Sequence, residues 1–156
     1  MQAEEKFLSS LDKAKKSLEI ADHLAYMTFP IVRENKLLLK ILEELYNSII
    51  SAINSILQYE YTYKRIRLYT NAKENFNTFR SIAGRYKIDK EQLGKIINIL
   101  TLAEIHKNAS LEFAKNDKIV IMSDNLKTET LTIDKIKAYL LETKDFLRKC
   151  SLVITH

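Results

Sequence analysis

Apolar residues recur along this chain with helical spacing. They are densest between Asn35 and Arg67, where about nine helical turns carry side chains that are apolar almost all round. One face presents Leu38, Leu42, Leu45, Ile49, Ala52, Ile53 and Ile56, and a second adds Ile41, Ile50 and Leu57. What remains is a thin polar stripe of Glu43, Asn47, Ser51, Asn54 and Gln58. A helix without a wide polar face belongs at the centre of a bundle. The stripe itself admits three readings: a buried polar network that fixes register, an exposed edge, or one wall of an amide-lined ligand cleft.

The same periodicity predicts four more helices. The first covers Ala3 to Tyr26, with Phe7, Leu11, Ala14, Leu18, Ala21 and Ala25 on one face, and should end near Thr28-Phe29-Pro30, where proline removes a donor. Asn35 is the expected cap of the long second helix. Asn71 with Glu74 has capping-box spacing and opens a third helix through Phe76, Phe79 and Ile82 to about Arg85. Asp89 with Gln92 opens a fourth, carrying Leu93, Ile96, Ile97, Leu100 and Ile105 and stopping near Asn108.

The period then shortens to that of strands. Lys118 to Ser123 is β-branched, Asp124-Asn125 suits a tight turn, and Lys127 to Leu131 alternates in polarity, so a β-hairpin is predicted. Ile119, Ile121 and Leu131 should pack it on the bundle, since a lone two-stranded ribbon is marginal in water. Thr132 caps a last helix through Ile136, Tyr139, Leu140, Thr143, Phe146 and Leu147. The expected fold is mainly α: a single helical bundle of about five helices with a small hairpin before the last one. No repeat, low-complexity run or linker divides residues 1–156 into more than one domain.

Composition narrows the function classes. Only two glycines and one proline occur, which disfavours sandwiches, barrels and phosphate-cradling glycine loops. The longest apolar runs fall far short of the roughly 18 residues of a bilayer span, so no membrane association is expected. With a lone cysteine, Cys150, and no leader pattern at its start, the chain is expected to reside in the cytoplasm. The formal charge of +5 permits attraction to nucleic acid or to an acidic protein without demanding either.

Catalytic and metal signatures are missing. The three histidines, His23, His106 and His156, lack a second ligand at helical spacing, no GxSxG elbow is present, and Cys150 lies in apolar sequence that favours an inert thiol. No catalytic residue, metal or cofactor is assigned, and the chain leans away from being an enzyme. The strongest candidate site is the run Tyr59 to Arg67, where Tyr61 and Tyr63 can stack on unpaired bases while Lys64, Arg65 and Arg67 meet phosphates. Arg80 and Arg85, from the next helix, can join them if the bundle brings the segments together. The competing reading is structural: half-buried tyrosines at a helix end, with cations complementing its dipole.

Ser17 to Leu57, an Ala/Leu-rich helix, an interruption and then Glu44-Leu45-Tyr46-Asn47-Ser48-Ile49-Ile50-Ser51-Ala52, resembles the opening helical hairpin of the HEPN superfamily of nucleotide-binding proteins. Ala21 to Pro30, Tyr59 to Ile66 and Ile119 to Asn125 are similar to segments of a group of small archaeal proteins, a likeness that brings no activity with it. The HEPN resemblance implies an all-helical bundle, frequent dimerisation and, in active members, metal-independent RNA cleavage by a closely spaced arginine and histidine on a late helix. Neither His23 nor His106 follows an arginine at that spacing, so no catalytic role is carried over. Three functions are therefore expected in order: a non-catalytic module binding RNA or a ribonucleoprotein, a protein-interaction or scaffold protein acting as a homo- or hetero-oligomer, and a divergent HEPN-type ribonuclease.

Overall fold

The first helix runs past its proline. In the computed structural model, which describes residues 2–155, α1 spans Gln2–His23, widens into a single π turn at Leu24–Thr28 and continues as a one-turn α2, Phe29–Val32. The Phe29 N–H bonds back five residues to the Leu24 carbonyl. That wider turn leaves room for the Pro30 ring, which in a regular ladder would collide with the carbonyl four residues earlier. The predicted stop before Pro30 is thus corrected: the chain leaves helical geometry at Arg33, which is left-handed at φ 53° and donates its N–H to the Phe29 carbonyl.

The long helix, α3, spans Lys36–Thr62 and contacts α1, the three long helices that follow it and two strands of the sheet, so it is the central rod that its pattern predicted. Leu38, Ile41, Leu42, Leu45, Ile49, Ala52 and Ile56 are fully buried along it. Its cap differs from expectation. Asn35 adopts helical dihedrals and caps nothing; its amide instead donates to the Asn116 carbonyl, 3.0 Å away in the turn between the first two strands. Against α3 lies α1, antiparallel and close, because Ala14 and Ala21, with Ala25 in the π turn that follows, give the contact face little bulk. Two buried serines fix that pairing. Ser48 donates to the Ala14 carbonyl at 2.8 Å and Ser55 to the Phe7 carbonyl at 2.7 Å.

The remaining helices are α4 (Ala72–Ile82, continued by a 3-10 turn Ala83–Tyr86), α5 (Lys90–Lys107) and α6 (Ile133–Ile154). Asn71, Asp89 and Thr132 cap them through side-chain bonds from the N–H groups of Lys73, Gln92 and Lys135. Together with α1 and α3 these make the five long helices of a mainly α bundle.

The β region is larger than a hairpin. β1 (Leu111–Lys115), β2 (Lys118–Met122) and β3 (Thr128–Thr132) form an antiparallel sheet in that order. Its first turn is Asn116-Asp117, with Asn116 left-handed at φ 56°, a conformation asparagine tolerates. The second turn is longer than the predicted two residues. It closes through Ser123 and Lys127, and its left-handed residue is Leu126 at φ 64°. Ile119, Ile121 and Leu131 are buried against the helices as expected, while β1 lies at an edge, mostly exposed.

Candidate nucleic-acid interface

The tip of α3 ends sooner than its sequence suggests. After Thr62 the chain turns through Lys64, left-handed at φ 58°, while the Lys64 N–H bonds to the Tyr61 carbonyl and the Arg65 N–H to the Glu60 carbonyl, each at 2.9 Å. This is the hydrogen-bond pair of a Schellman cap, usually built on glycine. Tyr61 therefore stands on the last turn, Tyr63 at the cap, and Lys64, Arg65 and Arg67 in the loop that follows. The 3-10 turn ends in the same way, with Lys87 left-handed at φ 59° and bonds from Lys87 to Gly84 and from Ile88 to Ala83.

One side chain that sequence reasoning passed over organises the tip. Glu60 is only 1% exposed, yet each carboxylate oxygen accepts from a different arginine: Arg65 Nη1 at 2.7 Å and Arg85 Nη1 at 2.8 Å. The guanidinium side chains remain 49% and 55% exposed, so the acid lies beneath them. The segments carrying Arg65 and Arg85 thus converge, as the candidate site required, but around a shared carboxylate. Arg65 also lies 5.4 Å from the centre of the Tyr63 ring and 5.8 Å from that of Tyr59, and Tyr59 packs edge-on against Phe7. Hydrogen bonding to Glu60 and its charge raise the Arg65 pKa further, which keeps it a cation. The Tyr86 hydroxyl is buried without a hydrogen-bond partner among the described residues, and burial, then the nearby Glu60 charge, push its pKa up, so it stays protonated.

Tyr61 and Tyr63 are about half exposed, at 52% and 54%. Lys64, Arg67 and Arg80 are exposed, and no carboxylate among the described residues lies within ion-pair distance of them. Tyr61 and Lys64 line a hollow of about 600 Å³ with Gln2, Lys6, Gln58, Thr62 and Ile66. Lys6 enters because antiparallel packing sets the start of α1 beside the end of α3. Arg80 is exposed on α4, next in sequence to the buried Phe79.

Of the polar stripe, Asn47 and Asn54 are exposed and Ser51 and Gln58 half-buried, so the stripe is not a fully buried network, and two of its amides line hollows, Asn47 near His106 and Gln58 beside Tyr61. Gln58 alone joins the tip. The buried polar residues of α3 are instead Glu44, Ser48, Ser55 and Glu60.

A second charged cluster lies near the opposite end of α3. His106 on α5 bonds through Nδ1 to Glu112 of β1 at 2.5 Å and through Nε2 to Glu43 of α3 at 3.2 Å. Burial by itself would lower its pKa, but the two carboxylate hydrogen bonds outweigh burial and hold it above the ordinary value. The adjoining cleft, about 610 Å³, is lined by Lys40, Tyr46, Glu104 and Lys107 among others, with no arginine.

Cys150 is buried, and desolvation pushes its thiol pKa up, against a reactive thiolate. His156, the one histidine close to it in sequence, lies outside the described residues. Among the described residues no three His, Cys, Asp or Glu side chains are placed to hold a metal ion, and no helix is long and apolar enough to cross a membrane. No family model, curated protein or solved structure matches the chain.

Proposed function

We propose that this chain is a non-catalytic module that associates with RNA, or with a ribonucleoprotein, through the tip of α3. The observation that carries the reading is the exposure of Tyr61 and Tyr63 beside three cations free of carboxylate partners among the described residues, Lys64, Arg67 and Lys6, the last in the hollow next to Tyr61. Rings of this kind stack on bases of any identity, and unpaired cations release counterions from the phosphate chain. A buried, protonated thiol at Cys150 suits a cytoplasmic setting.

The test is fluorescence anisotropy with a labelled single-stranded RNA across a salt series. Affinity should fall with salt, and the charge reversals Lys64→Glu and Arg67→Glu together should weaken binding by about tenfold or more while reducing the salt slope by about 1.4, at 0.7 per phosphate contact. Affinity indifferent to both reversals would remove the reading.

A free edge on β1, with Leu111 and Phe113 exposed beside it, favours a second reading, docking of a partner protein or a second copy. Light scattering decides it: a strict monomer that RNA alone engages counts against an oligomeric scaffold.

A further inference from the structure

We infer that Glu60, Arg65 and Arg85 form a preorganised seat for one backbone phosphate of single-stranded RNA, in which the buried carboxylate aims the two guanidiniums outward and does not cancel them. The inference rests on the RNA-binding reading and specifies its central contact.

The seat is built from three places in the sequence. Glu60 comes from the last buried turn of α3, Arg65 from the residue after its left-handed cap, and Arg85 from the 3-10 turn beyond α4. Each guanidinium carries five N–H donors and commits one nitrogen to Glu60, at 2.7 and 2.8 Å. Because the acid is beneath and the arginines are half exposed, the donors left over face solvent on the side from which a ligand arrives. The group of three keeps one net positive charge, and Lys64 stands one residue from Arg65.

Preorganisation is the physical gain. A free surface arginine loses rotamer freedom when it grips an anion. Arg65 is already fixed by its carboxylate bond and by the rings of Tyr59 and Tyr63, and Arg85 by the other oxygen of the same carboxylate. Two planar forks held at one point suit a tetrahedral phosphate, which can accept from both at once. With Tyr63 against Arg65, a base next to the seated phosphate would have an exposed ring within reach.

Simple electrostatics and preorganisation predict opposite signs for one substitution. Glu60→Gln raises the net charge by one, which by charge alone should tighten RNA binding. Yet it offers a single acceptor oxygen to two arginines and releases one of them.

The experiment measures anisotropy of a labelled oligouridine RNA with the whole chain, wild type against Glu60→Gln, Arg65→Lys and Arg85→Lys, with thermal unfolding recorded for each. The expected results are weakening of about threefold or more for Glu60→Gln despite its added charge, and of about tenfold for each lysine variant at unchanged charge. Tighter or unchanged binding by Glu60→Gln overturns the seat. If that variant does not fold, the lysine variants decide, and wild-type affinity in both overturns it. Wild-type protein that binds no RNA overturns this inference together with the reading beneath it. Binding that depends on Lys64 and Arg67 but not on Arg65, Arg85 or Glu60 overturns the seat alone.

Discussion

The two ends of α3 carry inverse arrangements of charge. Near its C-terminus one acid, Glu60, is held by two arginines; near its N-terminus Glu43 is one of two acids holding a single base, His106. They sit about 25 Å apart along one helix, at 1.5 Å per residue. The arginine pair is charged at any pH at which the protein is folded, so that end keeps its form across ordinary conditions. The histidine end depends on one proton. Permanent charge suits a standing contact surface, whereas a titrating base ties the docking of β1, through Glu112, to pH.

The largest expected effect comes from stripping the first arrangement. With Arg65 and Arg85 both changed to alanine, Glu60 loses both of its charge partners at once, and stability falls. Urea denaturation should show this as a lower midpoint, and adding Glu60→Leu to the double variant should recover most of it. A double variant as stable as wild type would mean that the carboxylate is not buried as described.

An intermediate effect is expected at the other end, with a defined sign. His106 has a folded-state pKa above its ordinary value of 6.5, so its contribution is fully present below about pH 6.5 and is lost as the pH rises through the raised value. His106→Gln should therefore destabilise the protein by about 1 kcal/mol near pH 5.5 and by progressively less in alkaline buffer, read from urea midpoints at several pH values. A deficit that grows with pH would reverse the comparison between the two ends.

The smallest effect separates stability from binding at the arginine end. Lys64 and Lys87 occupy left-handed cap positions where glycine is at ease. Lys64→Gly should raise stability by about 0.5 to 1 kcal/mol while weakening RNA binding, because the strain goes and a cation goes with it. Improved stability with undiminished affinity would show that Lys64 contacts no RNA.

These contrasts also mark where sequence was sufficient. The core faces of α1, α3 and α6 and the caps at Asn71, Asp89 and Thr132 were readable because each depends on residues within one or two turns of one another. The end of α3 was not, since a lysine holds the left-handed cap and no glycine marks the stop. β1 was hidden for a related reason: a five-residue strand gave little alternation to detect, although Asn116-Asp117 was a usable turn signal. At the tip the chemistry-bearing residues were visible, but their pairing was not. Arg65 and Arg85 meet only after a loop, a helix and a 3-10 turn have brought them to Glu60, whose burial was not read from the sequence. Lys6 escaped notice because only the antiparallel docking of α1 on α3 places it beside Tyr61 and Lys64.

The widened turn at Leu24–Thr28 has an arithmetic consequence. It accommodates one surplus residue without unwinding the rod. Excising one of the five would restore ordinary pitch and leave everything downstream on its present side of the axis, because the wide turn has already absorbed the extra residue. Phe29 would keep its seat in the interior, but the Pro30 ring would then meet the carbonyl four residues before it. A single supernumerary amino acid thus lets the rod carry a proline and still reach its bend at Arg33.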